Sequence, residues 1–207
     1  MRSRSLFPVL VTTVVALCVT PLRGNTQPSA PSAAAGAAVL PAGHDGSHDF
    51  DWIFGTWKAT LRRLVKPLTG STTWVDFEGK QISKTIWGGK ANLDEFIVDS
   101  PKAGVQIEGV ALRLYDPASQ QWRIYWANSK RGIVDPPVVG RFSNGRGEFF
   151  GMDELDGRAI LVRYVWSNIT PNSAHFEQSF SPDGGKTWEV KSDGRFQRRK
   201  ESAEARP

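Results

Sequence analysis

The sequence predicts an all-β fold, a single antiparallel up-and-down β-barrel of about ten strands. Three observations lead there. From residue 55 onward, short segments rich in Val, Ile, Trp, Phe, Tyr and Thr alternate with turn clusters. Asn144-Gly145 and Asp156-Gly157 stand between apolar runs, the strongest short-range signal for a tight hairpin. No stretch holds a 3.6-residue apolar period beyond 48–54, which is long enough for one helical turn.

Taken in order, strands are expected at 56–65, 72–78, 81–87, 94–98, 106–115, 121–128, 138–143, 147–153, 159–167, 173–181 and 187–198. Asp116-Pro117, Pro171-Asn172 and Asp183-Gly184-Gly185 mark further turns. Two segments show their faces by alternation. Ile160, Val162, Tyr164 and Trp166 share one face, opposite Leu161, Arg163 and Val165. Leu112 and Leu114 oppose a face carrying Ala111, Arg113 and Tyr115. Faces that are both partly apolar suit a barrel with a filled or ligand-holding interior, and sequential hairpins suit an up-and-down order.

The 207 residues are 40% hydrophobic and 23% charged, the balance of a globular protein. The net charge of +5 lies at the ends. Removing the three arginines of residues 1–43, and the four basic and two acidic residues of the last ten, from totals of 26 and 21 leaves 19 of each for residues 44–197. A neutral body argues against a nucleic-acid partner. Residues 1–23 read as a signal peptide, with Arg2 and Arg4 ahead of an apolar run at 6–20. Residues 24–47 read as an Ala/Pro/Ser-rich linker, 48–199 as the barrel domain and 200–207 as a charged tail. Cys18 is the single cysteine. Cleavage beyond it removes disulfides, thiolate metal sites and cysteine nucleophiles together. The expected location is therefore the periplasm or outside the cell, with no stable membrane insertion once the signal is cleaved.

Gly55-Thr56-Trp57 opens the first strand, where the indole would close the barrel floor. Ser181-Pro182-Asp183-Gly184-Gly185-Lys186-Thr187-Trp188 matches the Asp-box, a hairpin staple that recurs in glycosidase propellers. A propeller needs several copies and this chain has one, so the box is expected to be structural. Eight tryptophans offer broad apolar faces, and Trp57 and Trp126 are the two expected to meet a ligand. Arg113 and Arg163 share strand faces with apolar residues and, if inward, would hold an anionic group. His175 and Glu177 alternate on one strand face, about 7 Å apart. They could serve as base inside a cavity, with Arg163 as stabiliser, or simply face water. His44, His48, Asp45 and Asp49 make a poor metal set, and none is expected. There is no nucleophile elbow, phosphate loop, dinucleotide fingerprint or His-Glu-x-x-His sequence.

Seven ordered motifs carry a family likeness: Phe50-Asp51-x-x-x-Gly55-Thr56-Trp57; Gly88-Gly89-x-x-Asn92-x-Asp94-Glu95; Leu112-Arg113-Leu114-Tyr115-Asp116-Pro117; Trp122-x-x-Tyr125-Trp126; Pro136-Pro137-Val138-Val139-Gly140-Arg141-Phe142; Val162-Arg163-x-x-Trp166-Ser167-x-Ile169-Thr170; and Glu177-Gln178-x-Phe180-Ser181. Over residues 49–199 the chain resembles an uncharacterised bacterial family of exported lipocalin-like (calycin) β-barrel proteins. The resemblance implies the fold and no particular activity. The chain departs from the family pattern at His175-Phe176 and at Lys191-Ser192-Asp193, where Asn-Trp is usual. Haem-binding nitrobindin-like barrels are more distant, because Lys58-Ala59-Thr60 follows Trp57 in place of their glycine-rich entry.

The expected function is binding of a small apolar or amphipathic ligand in the barrel interior, with no cofactor. The alternative is a cofactor-free cavity lyase, isomerase or cyclase using His175, Glu177 and Arg163. A third class, an envelope interaction module, would show a filled barrel and an exposed aromatic patch.

Overall fold

Apolar side chains at alternate positions drive ten segments into one sheet, and that sheet closes on itself. The computed structural model describes residues 45–200. The strands are β1 (Gly55–Leu64), β2 (Trp74–Ile86), β3 (Ala91–Ser100), β4 (Val105–Asp116), β5 (Gln121–Asn128), β6 (Val138–Ser143), β7 (Arg146–Leu155), β8 (Arg158–Ser167), β9 (Ser173–Ser181) and β10 (Glu189–Arg198). Each pairs antiparallel with its sequence neighbours, and β1 pairs with β10 to complete the barrel. The architecture is the calycin-like up-and-down barrel expected.

The segments expected at 72–78 and 81–87 are one strand. Gly79 and Lys80 stay extended opposite Ala59 and Lys58, so the polar stretch that reads as a turn continues the ladder. The segment expected at 94–98 extends to 91–100. Asn144-Gly145 and Asp156-Gly157 form two-residue loops between the pairs Ser143/Arg146 and Leu155/Arg158. All four loop residues have positive φ, from 51° to 76°, as a type I′ turn requires. The Asp-box is the staple expected. Asp183 Oδ1 accepts from the Thr187 amide at 2.9 Å, its Oδ2 accepts from Thr187 Oγ1 at 2.6 Å, and Trp188 Nε1 donates to Gly185 O at 3.1 Å.

One end of the barrel is sealed by the residues ahead of β1. Residues 45–47, which composition places in the linker, already belong to the folded domain, Asp45 as the cap of the short helical turn Gly46–His48 and Gly46 and Ser47 within it. Gly46 donates to Tyr115 Oη at 3.2 Å and accepts from Trp122 Nε1 at 2.9 Å. Behind it Phe50, fully buried, meets Trp122 and Phe142 edge-on and stacks on Phe149. Trp57 is fully buried, donates to Ile53 O at 2.6 Å and lies under the Arg198 guanidinium, 4.3 Å away. Arg198 donates to the carbonyls of Trp52, Phe54 and Pro171. His48 pairs with Asp51 at 2.8 Å. The expected signal peptide, residues 24–44 of the expected linker with His44, and residues 201–207 of the tail lie outside the described residues.

Two outcomes test this account. Arg198→Met strands three carbonyls and uncovers the indole, and is expected to cost about 2–4 kcal/mol in urea unfolding. Arg198→Lys should recover little of that, because an ammonium cannot span the three acceptors or cover the ring as the planar guanidinium does. Hydrogen bonds from Thr187 and Ser181 hold the Asp183 carboxyl down to about 2 from its ordinary 3.8. That contribution is present above about pH 4 and is lost as pH falls through about 2. Asp183→Asn should therefore flatten the acid limb of the unfolding temperature between pH 4 and 2.

Candidate functional site

A ten-strand barrel is wider than the eight-strand size that side chains just fill, and here the excess width is a cavity of about 480 Å³. It runs from the sealed floor toward the end carrying the β1–β2, β3–β4, β5–β6, β7–β8 and β9–β10 loops. Its middle is aromatic, with Phe96, Trp126, Tyr164, Trp166 and Phe176 among the lining residues. Trp126 reaches this position because Gly109 has no side chain. A Cβ there would stand 2.2 Å from the indole ring. At the mouth Glu189 accepts from the Leu68 amide, holding the β1–β2 loop across one side.

The inner end is polar and buried. Arg113 forms an ion pair with Asp94, and its Nη1 also donates to Asn92 Oδ1 at 3.1 Å. All three residues are almost fully buried, and Arg113 lies 4.9 Å from the centre of the Phe50 ring in the floor. The pair explains how a guanidinium is tolerated in the core, since a buried charge needs a partner of opposite sign and hydrogen bonds. Arg113 Nε, a donor, and Asp94 Oδ1, an acceptor, remain without a hydrogen-bond partner among the described residues. Both residues line the cavity.

The mouth holds a second charged group. Lys191 enters the cavity through an irregularity in the β9/β10 ladder. Val190 pairs with Ser179 and Ser192 with Gln178, leaving Lys191 as an extra residue. Such a bulge breaks the strict alternation of faces, and Lys191 and Ser192 both line the interior. Lys191 Nζ donates to Gln178 Oε1 at 3.1 Å and lies 5.7 Å from the Phe180 ring. Burial first, and then the Arg63 charge, lower the Lys191 ammonium to about 8, with Asp153 opposing. Burial raises the Asp135 carboxyl against the pull of its 2.7 Å ion pair with Arg131, and burial raises the Tyr164 phenol strongly.

The structure sorts the residues expected from sequence by strand parity. Arg113 and Trp126 line the cavity. Trp57 does not, because it is built into the floor under Arg198. Arg163, His175 and Glu177 are corrected. Tyr164, Trp166, Phe176, Gln178 and Phe180 line the interior, so their sequence neighbours stand on the opposite face of β8 and β9. There Arg163 Nη2 donates to Glu177 Oε1 at 3.3 Å beneath the Trp188 ring. His175 Nε2 meets Asp193 Oδ1 at 2.6 Å, and Asp193 also pairs with Arg62. These are side-chain contacts across the outer wall, remote from any base role inside the cavity. Asn92, Asp94, Tyr164 and Lys191 were missed as site residues. Asn92 and Asp94 alternate with Phe96 and Val98 on one face, a signal of inward polar groups that the spacing already carries.

No protein-family model and no curated protein matches the chain. Among solved structures it is similar to the S-type phycobiliprotein lyase CPES from Guillardia theta, with TM-score 0.52 and 10% identity over 77% of this chain and 96% of that one. It also aligns with a de novo designed fluorescence-activating β-barrel, with TM-score 0.39 and 13% identity over 75% and 99% of the two chains. The protein EF1p2_mFAP2b bound to DFHBI aligns with TM-score 0.41 and 10% identity, over 74% and 99%. At these identities the likeness is one of fold.

The inner pair supplies its own prediction. Asp94→Leu leaves a buried guanidinium without its counter-charge and should cost about 3–5 kcal/mol in urea unfolding. The double variant Asp94→Leu/Arg113→Met should recover most of that loss, since two apolar side chains replace two charges. Additive losses would mean that the charges do not compensate each other.

Proposed function

We propose that this protein is an exported barrel, periplasmic or secreted, that binds a small amphipathic molecule inside its cavity. The observation that carries the reading is the cavity of about 480 Å³, aromatic along its length and closed at its inner end by the Arg113/Asp94 pair. A volume of that order suits a small organic ligand held mainly by apolar contact and oriented by few polar groups. The pair also refines the ligand. Asp94 cancels the Arg113 charge, so the inner end favours a neutral head group that both accepts and donates, such as a carboxamide or lactam, over the free anion expected from arginine alone. Both residues line that end of the cavity, and the pair sets donor and acceptor groups side by side there. Export rests on the basic start and apolar run of residues 1–20. Kinship with the uncharacterised bacterial family of exported calycin barrels belongs to the same proposal and rests on the ordered motifs of residues 49–199. The fold likeness to the phycobiliprotein lyase is compatible with carriage and with turnover alike.

Native mass spectrometry of the protein purified from the exported fraction, with Nile red titration of the same sample, tests the reading. The expected outcome is either a discrete mass lost on denaturation or stoichiometric, blue-shifted Nile red binding. Ala111, which lines the cavity, supplies the control. Ala111→Phe should weaken Nile red binding at least tenfold while unfolding as a single transition. A clean mass without dye binding, or binding indifferent to Ala111→Phe, would overturn it. The intact mass also reports where the leader is removed.

A further inference from the structure

We propose that Lys191 is a reactive amine that captures an aldehyde or ketone ligand inside the cavity as a reversible imine. The proposal deepens the cavity-binding reading above and rests on it.

Four observations converge on this lysine. The ladder irregularity between Val190 and Ser192 gives β10 one residue more than its partner, and Lys191 is that residue. A lysine meant only to face water needs no such break, because an undisturbed strand already offers outward positions. Its amine is held by a neutral acceptor, Gln178 Oε1 at 3.1 Å, and it makes no ion pair among the described residues. Other cations of the domain do find carboxylates, Lys58 with Glu78 and Arg62 with Asp193 among them. The charges acting on it are Arg63 from β1 and Asp153 from β7, and the same cavity is lined by Glu108 from β4, Tyr164 from β8 and Lys130, Arg131 and Asp135 of the β5–β6 loop. The Phe180 ring lies 5.7 Å from the amine. Burial and the Arg63 charge both favour the neutral amine, the form with a free electron pair.

The chemistry balances without an added reagent. The Nζ lone pair attacks the carbonyl carbon, the C=O π pair moves to oxygen, and that oxygen takes up one proton as nitrogen gives up one. The resulting carbinolamine loses its hydroxyl as water while nitrogen loses a proton, leaving a C=N bond. Amine and carbonyl are consumed, imine and water are formed, and nothing is oxidised or reduced. Asp135 lines the same cavity, and burial raises its carboxyl, so it holds a proton more readily than an ordinary carboxyl. A ligand so bound is held at two points, covalently at the mouth and through its polar head at Arg113 and Asp94.

The test uses the exported protein with 4-dimethylaminocinnamaldehyde, whose protonated imine absorbs to the red of the free aldehyde, and cyanoborohydride to fix any adduct. The expected result is a red-shifted band and, after reduction, one adduct per chain, mapped by peptide mass spectrometry to Lys191. The rate of trapping should rise with pH through about 8, below the range of surface lysines. Lys191→Arg keeps the charge and is expected to abolish band and adduct while unfolding at the wild-type temperature. Lys80→Arg, on the outer wall, should leave both unchanged. Nile red binding by the wild type without an adduct at Lys191 would overturn this proposal and leave the cavity reading standing. An adduct spread over surface lysines, or one surviving in Lys191→Arg, would overturn it as well. Absence of both dye binding and adduct would overturn the two readings together.

Discussion

The barrel depends on one closure, the seating of Arg198 over Trp57. The first and last strands must pair for the sheet to have no edge, and at the floor end that seam is where the chain enters and leaves. Arg198, the last residue of β10, covers the indole of Trp57 on β1 and donates to carbonyls before β1 and between β8 and β9. One side chain thus ties the seam, the entering segment and a distant turn together. The same closure supplies donors to three main-chain oxygens at the floor rim, those of Trp52 and Phe54 part-buried and that of Pro171 exposed. The aromatic group around Phe50 then fills the floor, and the interior can remain open only toward the other end.

From that closure follows the asymmetry of the cavity. Beside the sealed floor, polar groups are cut off from water, and Arg113, Asp94 and Asn92 find most of their partners within the protein. Their two leftover atoms are one donor and one acceptor. The mouth has access to water and tolerates charges held more loosely, so Lys191, Arg63, Asp153 and the Arg131/Asp135 pair gather there. Between the two polar ends lies an aromatic sleeve.

The outer wall shows how similar residue pairs mislead. Arg163 with Glu177, and His175 with Asp193, are acid–base combinations of the sort used in catalysis, yet they stand outside the barrel. Their partners are cross-strand neighbours in the sheet, and the Asp-box hairpin lays Trp188 over the first pair. They stiffen the wall behind β8, β9 and β10.

Sequence by itself determined the fold class, because alternation and two-residue turns are local properties. Asn144-Gly145 and Asp156-Gly157 specified their hairpins, and Ser181 to Trp188 specified its staple, through contacts within a few residues. That Ile160, Val162, Tyr164 and Trp166 share one face of β8 was legible for the same reason; that this face points inward was not. What only the tertiary structure decided was the facing of polar residues and the meaning of single breaks in pattern. Arg113 and Arg163 look alike in sequence, each among apolar neighbours. One is inside and the other outside because the floor and the hairpin cover different faces of their strands. The polar stretch around Gly79 reads as a turn and is a continuous strand, since its partners on β1 and β3 hold it extended. Lys191 reads as one more charged strand residue. Its inward turn comes from a mismatch in length between β9 and β10, which exists only when the two are paired.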